Sequence, residues 1–336
     1  MHNEADAKEK VRVGVSVSWP NYSLYELARA KNLTSDYDIE VTILEDPVAG
    51  HNMLSTGQLD ILLSTPDYAS IAVANNLDVV NVGFIGLSYG TDQVVLAPGV
   101  EPAKLPGKKV SAPDAFIGQI VLGLWLEEQG IPFDKVTWVN LNADQAAGPI
   151  ISGDIAAAHM YEPWTSKLIQ SVPGAKVVTD SLQDIYTRRG MLGDSIFMNR
   201  KFIQEKRKAA VDMLALHWKA VQLWHDDPRG TNAFLAKYLK WPEADVEAIM
   251  GTNGKFAKGG MYIYDFDQSA RFCGVLDGEP PFKQKNGGYY DALAETNRLW
   301  VKLGVLKTVE DPKKGLDCSL LGDLVKSGFR QSFDAK

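Results

Sequence analysis

The chain has little of what metal and redox centres are usually built from. It carries two cysteines, Cys273 and Cys318, and five histidines in 336 residues. Two cysteines rule out a Cys-rich zinc or iron–sulfur centre; they permit one disulfide without requiring it, and two unpaired core thiols are an equal reading. Basic tracts are missing too, and the net charge is -7. That argues against a nucleic-acid partner, which a basic stripe usually announces. No apolar run approaches the roughly 18 residues needed to span a bilayer. The start, MHNEADAKEK, is charged and has no apolar segment of the signal-peptide kind, so an exported form would have lost its signal before this sequence begins. G-x-S-x-G, H-E-x-x-H and P-loop patterns are also missing.

What remains is an ordinary globular composition, 45% hydrophobic and 23% charged. The length suffices for two lobes, each with its own core. The organising stretch is LSTGQLDILLSTPDY at 54–68. It reads as a helix end, a Gly turn, a short strand over 59–63, and a helix start with Ser64 or Thr65 as cap, Pro66 at the first helical position and Asp67 in the first turn. About ninety residues on, ISGDIAAAHMYEPW at 151–164 repeats the phrase. Ligands of open α/β sheets bind past the carboxyl ends of strands, where such loops lie. Two similar units facing each other would form a cleft.

Strands are expected over 11–17, 39–44, 59–63, 79–85, 93–96, 108–112, 136–140, 155–161, 176–179 and 195–198, with helices between them. This alternation implies βαβ units and mostly parallel sheets. A Pro-rich break, APGVEPAKLP at 97–106, reads as a crossover, and the strand over 195–198 reads as a return to the first sheet. The first lobe is therefore expected over 11–97 plus 193–336 and the second over 98–192. Residues 200–224 have apolar side chains at helical spacing, so Trp218 and its neighbours are expected in the core.

With the first strand running into Ser18-Trp19-Pro20, the segments at 57–76, 104–131, 151–164 and 192–203 resemble the solute-binding component of ABC importers of the nitrate/sulfonate/taurine type. Within that family the chain is most similar to the urea-carboxylase-associated branch, on Gly90-Thr91-Asp92-Gln93 and the region 262–290. The resemblance implies an α/β, two-lobed periplasmic-binding-protein (type II) fold with mostly parallel sheets, a double crossover and a helical C-terminal extension. It also implies a periplasmic or lipid-anchored location, a small-molecule solute, ABC permease subunits as partners, a monomer, and neither catalysis nor a cofactor.

Residue chemistry narrows the solute. The loops expected to face the cleft hold Trp19, Asn21, Tyr22, Ser64, Thr65, Asp67, Tyr68, Tyr89, Thr91, Asp92, Asp114, Phe116, Asp144, Tyr161, Glu162, Trp164, Gly193 and Asp194, with no Lys or Arg. An anion beside such acids meets repulsion of about 4 kcal/mol per pair at 4 Å and an effective dielectric near 20. A donor-rich cation such as guanidinium suits acids, tyrosine oxygens and aromatic faces. Trp19, Tyr22, Tyr161 and Trp164 are expected to sandwich it. Asp67, Asp92, Glu162 and Asp194 would accept its N–H groups, with Ser64, Thr65, Tyr89, Asp114 and Phe116 completing the set. Helix-start roles compete for Asp67, Asp114 and Glu162, and Asp144 reads as a plain cap. Three alternatives stand beside this reading. One is an enzyme related to thiamine-pyrimidine synthase, with His51 in a loop but no Cys cluster; another is a sensory effector domain. The third is the same binder holding taurine, an alkylsulfonate, nitrate or a pyrimidine.

Overall fold

The computed structural model describes residues 8–333. The charged start that bears on a signal lies largely outside the described residues. Eleven strands are formed among them: β1 Glu9–Val15, β2 Tyr37–Ile43, β3 Ile61–Ser64, β4 Val79–Tyr89, β5 Asp92–Leu96, β6 Lys109–Ser111, β7 Thr137–Val139, β8 Ala157–Tyr161, β9 Lys176–Asp180, β10 Gly193–Asn199 and β11 Gly260–Ile263. They make two sheets, one ordered β11-β4-β10-β3-β1-β2 and the other β7-β6-β8-β5-β9. Each sheet has its own lobe, and a cleft lies between them.

Both sheets are mixed, which corrects the expectation of mostly parallel ones. β1 pairs parallel with β2 and β3, and β6 pairs parallel with β7 and β8, as βαβ units require. β10 runs antiparallel to β3 and β4, and β5 antiparallel to β8 and β9. These two strands are the crossings. Each enters its sheet from the cleft end, directly from the other lobe, and so runs against the strands beside it. The first crossing falls at Gly90–Thr91 and not at the Pro-rich break, so Asp92–Leu96 belongs to the second sheet. Gly90 takes φ +103°, and an added Cβ there would lie 2.8 Å from Gly259 Cα. The turn between lobes thus needs a residue with neither a Cβ nor a left-handed penalty.

Beyond β10 the chain is mostly helical. The expected helix over 200–224 is broken at Lys206, whose φ of -133° and ψ of 44° separate Arg200–Glu205 from Arg207–Asp226. Trp218 and Trp224 are fully buried on the second of these. The helix Tyr289–Lys302 packs on both the first-lobe helix Tyr68–Ala74 and the second-lobe helix Ile117–Glu128. Arg298 binds Glu127 with two bonds, 3.1 and 3.2 Å, and Trp300 Nε1 donates to the Asp67 carbonyl at 3.1 Å. One helix is therefore pinned to both lobes. Cys273 and Cys318 form a disulfide that ties the helix Phe266–Phe272 to the helix Ser319–Lys326. No helix among the described residues is long and apolar enough to cross a membrane.

Candidate functional site

A cavity of about 640 Å³ occupies the cleft. Its walls come from the carboxyl ends of the parallel strands and from the first residues of the two crossing strands. The first lobe contributes Trp19 and Tyr22 after β1, Glu45 and Asp46 after β2, Thr65 after β3, and Asp194 at the start of β10. The second contributes Asp114 and Phe116 after β6, Asn140, Asn142 and Asp144 after β7, His159 and Tyr161 on β8, Trp164 beyond it, and Asp92 at the start of β5. Trp241 reaches in from the helical extension.

Of the thirteen residues chosen from the sequence, nine line this cavity: Trp19, Tyr22, Thr65, Asp92, Asp114, Phe116, Tyr161, Trp164 and Asp194. The other four stand outside its lining. The Ser64 side chain is buried inside the sheet, and its carbonyl accepts from Ser195 Oγ at 3.0 Å. Asp67 is fully buried. Tyr89 packs into an aromatic cluster with Phe256, Tyr262 and Phe282. Glu162 accepts from Gln93 Nε2 at 3.2 Å and from the Ser166 amide at 3.2 Å, so it fastens β5 to the following helix. The expected Ser64 or Thr65 cap does not form either. The helix begins at Tyr68, and neither hydroxyl has a hydrogen-bond partner among the described residues. Asp114 precedes a helix whose cap position is Phe116; instead of capping, it accepts from Gln119 Nε2 at 3.2 Å.

The two deepest carboxylates are held differently. Asp194 Oδ2 accepts from Asn21 Nδ2 at 2.8 Å and from Trp19 Nε1 at 3.1 Å. Burial pushes its carboxyl up to about 7, against the opposing pull of Asn21, Tyr22 and Trp19. Asp92 Oδ1 contacts His159 Nε2 at 2.8 Å. The His159 ring packs against position 118, where only a glycine leaves it room: an added Cβ there would sit 2.4 Å from His159 Nδ1. Behind the wall, burial also raises Asp67 to about 7, and neither of its oxygens has a partner of good geometry among the described residues.

Aromatic rings form the middle of the site. Trp19 meets Tyr161 edge-on at 6.2 Å and Trp241 edge-on at 6.4 Å. Lys167 lies over the Trp164 ring at 4.7 Å but is turned outward to Asp245 at 3.2 Å. The lining as a whole holds six carboxylates (Glu45, Asp46, Asp92, Asp114, Asp144, Asp194), one histidine and no Lys or Arg.

Glu45, Asp46, His159 and Trp241 were not foreseen. Asp46-Pro47 was a readable signal, since it is the acid-proline helix start already recognised at other loops; Asp46 caps the helix Pro47–Ser55 by accepting from the Ala49 amide at 3.0 Å. His159 is a polar residue in an otherwise apolar strand, AAHMY. Trp241 had no local signal, because the helical extension was read only as packing. His51, considered for catalysis, is fully buried between Tyr68, stacked at 3.6 Å, and Phe197, and does not line the cavity.

Comparison with known proteins places this geometry. A relative from Brucella abortus (strain 2308), named "Putative binding protein", is 24% identical over 248 residues, 73% of this chain and 76% of its own. The alkanesulfonate-binding protein of Xanthomonas axonopodis pv. citri, bound to MOPS, superimposes with a TM-score of 0.70 at 16% identity, covering 93% of this chain and 99% of its own. The periplasmic nitrate-binding protein of Synechocystis PCC 6803 gives a TM-score of 0.69 at 13% identity, covering 95% and 89%. The fold is the two-lobed periplasmic-binding-protein fold. The family model described as NMT1/THI5 like matches residues 19–231, which include both crossings and every cavity residue except Val17, Ser18, Trp241 and Met261, and the chain belongs to that family.

Proposed function

We propose that this protein is the solute-binding component of an ABC importer and that it captures a small, N–H-rich cation, of the guanidine or amidine kind, between its lobes. The observation that carries this reading is the charge of the cavity wall: six carboxylates and no Lys or Arg. A cation entering the site replaces water with charge-assisted bonds to Asp92 and Asp194 and slides between the rings of Trp19, Tyr161 and Trp241. The bound solute draws the lobes together, and the closed form docks on membrane permease subunits. The names of similar structures, among them a ligand-binding component of an ABC-type import system from Staphylococcus aureus and the periplasmic nitrate-binding protein, support the importer role and a periplasmic location. The Cys273–Cys318 disulfide suits an oxidising compartment.

A second reading keeps the importer role and gives the site an anion, taurine, a sulfonate or nitrate. Two observations favour it. The similar structures include an alkanesulfonate binder and a nitrate binder. Asp194, raised to about 7, is protonated in a large share of molecules near neutral pH and can then donate a hydrogen bond.

A thermal-shift screen with guanidinium, urea, taurine, an alkylsulfonate, nitrate and a thiamine pyrimidine separates the two. A ligand at about 100 times its Kd adds roughly 2.7 kcal/mol of stability, a shift of some degrees. A shift with guanidinium and none with taurine is expected; a shift with taurine or nitrate alone overturns the cationic reading.

A further inference from the structure

The six carboxylates are not scattered around the cavity. Four are exposed, Glu45 and Asp46 from the first lobe and Asp114 and Asp144 from the second, and these form its mouth. Two are buried, Asp92 and Asp194, and these form its inner end. The sheet order sets the separation. Asp194 begins β10 and Glu45 follows β2, three strand intervals away through β3 and β1. Asp92 begins β5 and Asp144 follows β7, again three intervals away through β8 and β6. At about 4.8 Å per interval, each lobe sets its two acidic positions roughly 14 Å apart in backbone terms. Of the strands between, β1, β3 and β8 contribute Trp19, Thr65 and Tyr161 to the wall and no carboxylate, while β6, beside β7, is followed by the mouth carboxylate Asp114. At the inner end the hydroxyls of Thr65 and Thr91 line the cavity, are more than nine-tenths buried, and have no hydrogen-bond partner among the described residues.

We infer that the solute is an elongated aliphatic dication, one cationic group held at Asp92 and Asp194 and the other at the mouth between Glu45, Asp114 and Asp144. The inference rests on the cationic reading proposed above and narrows it. A single guanidinium has four heavy atoms and can satisfy only one end of a cavity of about 640 Å³. Its binding would leave the mouth carboxylates of the two lobes facing each other as the cleft closes. A second cationic group on the same molecule removes that repulsion, and a chain of methylenes between the two groups is what the ring faces of Trp19 and Tyr161 cover well. The buried hydroxyls of Thr65 and Thr91 give the inner group neutral acceptors beside the two acids, as an ammonium with three N–H bonds requires.

Isothermal titration of the whole chain at low salt with putrescine, cadaverine and agmatine, and with butylamine, guanidinium and taurine as comparisons, tests this. A dication should bind about tenfold tighter than butylamine, the gain expected of several exposed ion pairs. In the double variant Asp114→Asn/Asp144→Asn, both positions being exposed, that ratio should fall to about threefold or less. Equal affinities for putrescine and butylamine, or an unchanged ratio in the double variant, overturn the dication; binding of guanidinium alongside would leave the cationic reading standing. Binding of taurine alone, or of none of the cations, overturns both.

Discussion

Cation affinity should depend on pH through Asp194, and the sign separates a cation from an anion. The carboxyl is raised from 3.8 to about 7 because folding strips it of water. A cation placed against it favours the ionised form, so below that value binding must expel a proton. The ionised share falls from about three-quarters at pH 7.5 to about 3% at pH 5.5, which weakens a cation roughly 25-fold, or about 2 kcal/mol, provided the complex keeps the group ionised. An anion reverses the sign: it favours the protonated acid and binds more tightly as pH falls. Guanidinium and putrescine keep their charge throughout this range, so the slope reports the protein alone. Titration calorimetry at pH 6 in two buffers of different ionisation enthalpy would count the proton directly, with about 0.9 released per cation bound. A flat profile, or proton uptake, would refute the placement of a cation at Asp194.

The same carboxylate should cost the unliganded protein stability. Its folded value lies above its unfolded one, so its contribution is greatest below pH 3.8 and declines as pH rises to about 7. Asp194→Asn should therefore remove roughly 2.5 kcal/mol of the fall in unliganded stability between pH 5 and 8, while weakening cation binding; denaturant titrations at the two pH values check it. Gly118→Ala should drive a Cβ into His159, displace the ring from Asp92 and destabilise the fold by about 1–3 kcal/mol, with looser binding in the same preparation. Trp241→Ala should weaken cation binding by about 0.5–2 kcal/mol with little change for neutral urea, as a lost cation–π wall predicts; equal losses for both would make the ring a plain steric wall. Opening the Cys273–Cys318 link, which closes 45 residues of chain, should cost about 2–4 kcal/mol and lower Tm under reductant; an unchanged Tm would mean the link constrains little.

The lobes were legible in the sequence because their strands are short apolar runs set off by glycine and by acid-proline helix starts. Those signals are local, and so is what they report. Strand direction is not local. The residues of β5 and β10 look like those of any buried strand, and only the route of the chain between lobes makes them antiparallel. The same limit explains where the first crossing was misplaced. APGVEPAKLP is conspicuous, yet it lies after β5, whereas the real crossing is the inconspicuous Gly90–Thr91, made necessary by a close approach to Gly259, nearly 170 positions away.

The site follows the same division between local and distant causes. The residues chosen from the sequence that line the wall, such as Trp19, Asp92 and Asp194, sit at or near strand ends on the side of the cleft. Asp67 and Glu162 carry the same local signature but stand outside the lining, Asp67 fully buried with its carbonyl held by Trp300 of the helix Tyr289–Lys302 and Glu162 bound to Gln93 and the Ser166 amide. What the pattern did carry across both groups was sign. Three acids chosen from the sequence line the cavity and two stand outside it, while structure alone adds Glu45 and Asp46 and restores Asp144, read from the sequence as a plain cap. No lysine or arginine takes a place in the wall through any of these exchanges. A charge excess that survives replacement of its own members belongs to the cleft and not to a few helix starts, and that makes the sign of the solute's charge the property to test first.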